Sequence, residues 1–237
     1  MGKRYIRVDV GDKPLLIQIK RHHRARHVSL RMDVAAGRPV LVLPRQAPLN
    51  EGLAFANTKR QWLEKNLEAL PPKVPFAHGV IIPILGVDHI VSHVPWWRGT
   101  VRRGTDLLGD AILEVGGKSQ HLSRRLGDWL REEARREITP LAMGKAQKVG
   151  RRPKRIAIRD THSCWGSCSP QGALSFCWRL VLAPAWVLDY VVAHEVAHMV
   201  HLDHSHDFWR QVNEITSDME AAYKWIYNNG PSLLRYG

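Results

Sequence analysis

Between Val191 and Trp209 the chain reads VVAHEVAHMVHLDHSHDFW. Within it, His194, Glu195 and His198 spell H-E-x-x-H. On an α-helix, residues i and i+4 share a face about one turn apart, so the two imidazoles can address one metal ion. Glu195 follows His194 directly and can hold a water bound to that ion. Two ligands and a general base on one turn make an arrangement for activating water at zinc. A chain with 13 histidines can produce the pattern by chance, but the setting argues against it. Leu188, Val191, Val192, Val196, Met199 and Val200 make the helix strongly apolar. Burying two histidines and a glutamate in such a helix costs free energy unless they are paired or bound to metal. Pro184 stands near the helix start, where its missing N–H does no harm.

A catalytic zinc needs a third protein ligand and one open position. His201, His204 and His206 follow. His201 lies on the same face as the first two but a turn further on, out of easy reach of an ion between them. His204 follows Asp203, where the chain can turn back, and Ser205 can cap a second helix running through Phe208, Trp209 and Val212. A ligand just before that helix approaches the ion from the far side. This reasoning favours His204, then His206, then His201.

H-E-x-x-H followed by His204-Ser205-x-x-Phe208-Trp209 resembles the YgjP-like metal-dependent hydrolases, small zincins related to the SprT and Spartan-type metalloproteases. A second block agrees: Ile158-Arg159-Asp160, Trp165-Gly166-Ser167-Cys168, Leu174-Ser175-Phe176, Trp178-Arg179-Leu180 and Leu182-Ala183-Pro184. The resemblance puts the third ligand on His204 and implies a zinc-dependent peptidase with Glu195 as general base. It also implies, by analogy, that Trp165, Gly166, Ser167 and Cys168 form a strand beside the site on which an extended peptide can pair. The residue before Trp165 is usually basic in the family and is Cys164 here. His162, Tyr190 and Tyr223 are candidate donors to an oxyanion, and Asp189 and Asp207 candidate partners for the far nitrogens of the ligand rings. Two other readings remain: a DNA-associated protease of the SprT kind, and a binding module in which zinc only staples the fold, with His201 or His206 as fourth ligand.

The chain has 237 residues, enough for one domain or two small ones. Lys and Arg number 35 against 22 Asp and Glu, a net charge of +13. That balance admits nucleic acid or another polyanion as a partner, although the excess is spread rather than blocked. No stretch approaches the ~20 apolar residues of a membrane span, and the N-terminus lacks the apolar run of a signal peptide. Cys164, Cys168 and Cys177 lack C-x-x-C spacing and are odd in number, so they read as unbridged residues in a reducing, cytoplasmic setting.

The elements that must position the cluster read as α+β: a zincin-like catalytic domain over 119–237, behind a β-rich region over 1–118 with one helix. Alternation predicts strands over 4–10, 15–20, 28–33 and 40–43, the first two joined by a turn at Gly11-Asp12-Lys13-Pro14. The basic tract 21–27 reads as a solvated loop. Leu49 to Leu70 predicts one helix, ended by the linker Pro71-Pro72-Lys73-Val74-Pro75. Short strands follow between Val80 and Val115. Leu122 to about Val149 predicts a long helix, kinked or restarted at Pro140, with an arginine-rich outer face that is the best nucleic-acid candidate. Strands lead into and out of the W-G-S-C turn, the second running from Ala173 to Leu180. A last helix spans Arg210 to Asn228, with Val212, Ile215, Met219, Tyr223 and Ile226 inward.

Overall fold

The structure is a computed structural model that describes residues 4–10 and 13–237. Gly11 and Asp12 of the expected first turn lie outside the described residues. The chain forms two compact units, one ending at Lys73 and the other running from Val74 to Gly237. The break falls inside the proline-rich linker.

In the first unit, strands β1 (Arg4–Val10), β2 (Lys13–His22), β3 (Ser29–Asp33) and β4 (Arg38–Pro44) form one sheet in the order β1-β2-β4-β3. β1 and β2 are antiparallel, and β2 and β4 parallel. The tract expected as a loop at 21–27 begins inside β2, where Arg21 donates to the Pro44, Arg45 and Ala47 carbonyls. The single helix expected over 49–70 is two, α1 (Leu49–Thr58) and α2 (Arg60–Glu68), because Lys59 leaves the helical region at φ −106°, ψ 19°. Alternate strand residues Ile6, Val8, Ile17, Leu41 and Leu43 pack with Ala56 and Leu63 into a core. Gly52 allows the close approach: a Cβ there would stand 2.8 Å from Leu43 and 2.9 Å from Leu41.

The second unit opens with a sheet of β5 (Ile81–Ile84), β6 (Val87–Val94), β7 (Val101–Thr105) and β8 (Ala111–Gly116), in the order β5-β6-β8-β7. Ile82, Ile84, Val91, Leu113 and Val115 from this sheet share one core with the helices that follow. The boundary expected at 118/119 is therefore not where this unit begins. Helix α3 (Leu122–Lys148) runs unbroken through Pro140 and buries Leu126, Leu130, Ala134, Ile138, Ala142 and Ala146 at a spacing of four.

After α3 comes a second sheet: β9 (Arg155–Arg159), β10 (Gly166–Cys168) and β11 (Ala173–Cys177), ordered β10-β11-β9. The strand expected to reach Leu180 ends at Cys177, and Trp178–Leu182 is a 3-10 helix. Buried Arg179 causes the turn inward. It pairs with Asp160, donates to the Tyr236 carbonyl at 3.3 Å and lies over the Trp178 ring at 4.3 Å. Burial works to raise the Asp160 carboxyl, but the hydrogen bond and charge of Arg179 hold it below its ordinary range.

Three helices complete the unit: α4 (Ala185–Ala197), α5 (His206–Ile215) and α6 (Met219–Leu233). The one helix expected over 210–228 is broken because Thr216 is extended, at φ −139°, ψ 155°. Its hydroxyl donates to Asp189 on α4 at 2.6 Å. The other Asp189 oxygen meets Lys145 of α3 at 2.7 Å, and the same ammonium donates to the Ile215 carbonyl. This one network ties α3, α4 and the α5–α6 junction together. Tyr223, expected inward, is 54% exposed. Among the described residues no helix is long and apolar enough to cross a membrane.

Lys145 is 5% exposed, and truncating one member of a buried ion pair leaves the other member unpaired. Lys145→Ala is expected to cost about 3 kcal/mol. Urea unfolding followed by circular dichroism measures it; a loss under ~0.5 kcal/mol, the size of an ordinary surface change, would remove the network from this role.

Candidate metal centre

The apolar positions of α4 bury it nearly all round, and His194 and Glu195 lie in its last turn. His198 is the C-cap, still αR at φ −63°, ψ −13°, and its N–H bonds back to the His194 carbonyl at 3.3 Å. The two rings thus keep helical i, i+4 spacing although the helix ends between them, and Met199 and Val200 lie in the turn beyond. His204 returns to the cluster just before α5. Ser205 caps that helix, its Oγ accepting from the Phe208 N–H at 3.4 Å.

His194, His198 and His204 each bring one nitrogen within 4.8 Å of the others, a group that could hold a metal ion. His201 and His206 do not join it. The Nε2 atoms of His194 and His204 face each other at 3.3 Å. The two nitrogens can share a hydrogen bond, one as donor, or turn both lone pairs on one cation. The Nδ1 of His198 donates to the His201 carbonyl at 3.0 Å, which leaves Nε2 as the lone-pair nitrogen. The Nδ1 of His194 is buried with no partner among the described residues. Asp189 and Asp207, expected behind the rings, are engaged by Lys145 and Thr216 and by Arg210 respectively. Burial, then the neighbouring rings of His198 and His204, lower the His194 pKa to about 4, so the ring is neutral at pH 7.

Phe208 and Trp209 wall the cluster. Phe208 stacks on His198 with centroids 4.5 Å apart and meets His194 and His204 edge-on. Trp209 lies along His204 at 5.6 Å. The sequence pattern placed both residues on the next helix without disclosing this contact.

Glu195 is 7% exposed, and burial pushes its carboxyl up to about 7. Gly166 of β10 lies directly on it: a Cβ there would come within 2.6 Å of Oε1 and 2.7 Å of the carboxyl carbon. Any larger residue at 166 must displace the carboxylate. A glycine inside a strand is the sequence signal for such a close approach. Burial, and then the Glu195 charge, raise the Cys168 thiol to about 11, so it stays a neutral neighbour. All three cysteines are unbridged.

The register of β10 decides which of its backbone groups are free. The Cys177 N–H bonds to the Trp165 carbonyl at 2.8 Å, and the Ser169 N–H to the Ala173 carbonyl at 2.9 Å. In an antiparallel pair the bonded residues alternate, so Ser167 also faces β11. Gly166 and Cys168 therefore turn their N–H and C=O groups to the open edge. Of the oxyanion candidates, His162 is taken up by Asp160 at 3.3 Å. Tyr190 stands edge-on to His194 at 6.1 Å, and burial, then Tyr223 and Glu195 beside it, raise its phenol to about 12.

No curated protein and no solved structure matches the chain. The model of the YgjP-like metallopeptidase domain matches residues 26–229. With that match spanning most of the chain, and a triad of histidines gathered at its C-terminal end, the chain belongs to the YgjP-like metallopeptidase family.

Proposed function

We propose that this protein is a zinc peptidase of zincin type in which His194, His198 and His204 hold the metal and Glu195 is the general base. The observation that carries the reading is the convergence of three imidazoles beside a buried carboxylate that has no Lys or Arg partner among the described residues. The donor set fits zinc: at Zn–N distances of about 2.0–2.1 Å, two tetrahedral ligands stand about 3.3–3.4 Å apart, and His194 and His204 hold their Nε2 atoms at 3.3 Å. Three side-chain ligands among the described residues are one short of a closed structural site, which favours catalysis over a staple.

When bound, zinc supplies a water of pKa near ~7 instead of ~15.7 and polarises the scissile carbonyl. The Glu195 carboxylate takes a proton from the attacking water. The water oxygen bonds to the carbonyl carbon, the C–N bond breaks, and Glu195 passes its proton to the departing nitrogen. One carboxyl and one amine result. A carboxyl poised near neutrality suits both transfers. The free groups of Gly166 and Cys168 would bind an extended peptide as an added strand and hold its carbonyl over Glu195. Tyr190 and Tyr223 bring two phenol donors to the side of the cluster.

Glu195→Gln should keep the metal and lose about 10²–10⁴-fold in peptide cleavage. Metal analysis beside a peptide assay tests this, and near wild-type turnover would remove Glu195 as base.

The same variant reads the burial of the carboxyl. Its pKa rises from an ordinary 4.5 to about 7 in the folded chain. Between those values the native state holds a proton that the unfolded chain has lost, so metal-free stability falls as pH rises through that window. Metal-free Glu195→Gln should match the wild type near pH 4.5 and exceed it by about 3 kcal/mol at pH 8. Denaturation at the two pH values checks it; parallel curves would contradict the buried, uncompensated charge.

A further inference from the structure

The loop before β10 and helix α6 enclose a cavity of about 280 Å³, with Ser163, Cys164 and Trp165 on one side and Tyr227, Gly230 and Leu234 on the other. The Trp165 indole forms its inner wall, seated so closely on α6 that a Cβ at Gly230 would stand 2.9 Å from the ring. Ile226 contributes a further apolar surface. The one imidazole in the lining, His162, is held by Asp160 at 3.3 Å. The lining carries no carboxylate, lysine or arginine, so a charged side chain entering this space would lose water without meeting one, whereas an apolar one would be favoured.

Two chains of neighbouring residues lead from the cavity lining to the metal centre. On the chain, Trp165 precedes Gly166, which covers Glu195. On α6, the wall residue Tyr227 stacks on Tyr223 one turn earlier, with ring centroids 6.4 Å apart, and Tyr223 neighbours Tyr190 beside His194. Tyr223 and Tyr227 are 54% and 74% exposed, so neither is needed for the core. Exposed tyrosines one turn apart give large, rigid contact area at low entropic cost.

We propose that this cavity is a substrate subsite that takes one large apolar side chain, such as leucine, methionine or phenylalanine, of a peptide paired along β10; the proposal rests on the peptidase reading. The volume supports a single side chain, because sites for whole small molecules run from about 300 to 1,000 Å³. The register sets the distance from the cut. Successive residues of an extended peptide advance about 3.3 Å, so the side chain that reaches Trp165 belongs to a residue within two positions of the carbonyl over Glu195.

The test is cleavage of a mixed peptide library by the zinc-loaded protein, with cut sites read by mass spectrometry. The expected result is enrichment of large apolar residues at one position within two residues of the cut. Ser163→Trp, at an exposed position in the lining, fills the cavity. It should lower kcat/KM for a leucine peptide about tenfold or more relative to its glycine counterpart. Tyr227→Ala, which removes an exposed wall, should lower the same ratio. Cleavage with no side-chain preference, or a preference that both variants leave intact, overturns the subsite while the peptidase reading stands. Absence of all cleavage overturns the peptidase reading instead. The subsite is then decided by calorimetry of the same two peptides on the zinc-loaded protein. Tighter binding of the leucine peptide that Ser163→Trp removes supports it, and equal or absent binding overturns it.

Discussion

The second unit is built around one unfavourable act: a carboxylate and two imidazoles are carried into an apolar helix. Glu195 is flanked by fully buried Val196, Ala197 and Ala193 and lies beneath a strand. A buried carboxylate without a cation is costly, and a side chain that relieved the cost with a salt bridge would also lower the basicity of the group. The fold leaves the cost in place. Packing elsewhere must then be good enough to tolerate it, as the surrounding core of fully buried residues from both sheets and four helices indicates.

Tolerating the cost also requires that the cluster be unable to relax. His194 and His198 are fixed by one helix, but His204 comes from a separate segment and must be brought to them. Three devices do this. The Ser205 cap sets where α5 begins, the Phe208 ring backs all three imidazoles, and the Lys145–Asp189–Thr216 network clamps the far end of α5 to α4. The clamp sits on Asp189, one helical turn and a fraction before His194. The aspartate therefore positions α4 through α3 and Thr216 rather than by touching an imidazole of the cluster.

How much of this is legible in the sequence follows from what each feature depends on. The i, i+4 histidines, the capping serine and the alternating strands β1 to β4 are local patterns, and local rules read them. The long helix α3 is legible too, since its apolar residues recur over seven turns. The α5–α6 break is not, because it depends on Thr216 reaching an aspartate 27 residues earlier. The 3-10 turn at 178–182 depends likewise on Arg179 finding Asp160 and the Tyr236 carbonyl. Tyr223 fits the apolar periodicity of α6 and still faces water, because periodicity does not record which side of a helix has a neighbour. Gly166 is the sharpest case. Its residue type signals a close approach, but only the fold shows that the approaching group is the Glu195 carboxylate.

The charge of the chain shows the same gap between pattern and placement. The sequence puts Arg124, Arg125, Arg131, Arg135 and Arg136 on the outer face of α3, which reads as a surface for phosphate. In the fold four of them meet a carboxylate: Arg124 and Arg131 meet Asp128, Arg135 meets Glu132, and Arg136 meets Glu133. Arg125 instead turns inward to the Gly99 and Gly116 carbonyls. All but the pair on buried Glu133 are exposed, and exposed pairs are individually weak, so they add little stability. They do cancel one another's field, and a neutralised face releases few counterions from a polyanion. Lys148 at the end of α3, and Arg151, Arg152, Lys154 and Arg155 just beyond it, have no carboxylate partner among the described residues. A net charge of +13 is therefore no measure of what the helix itself can attract.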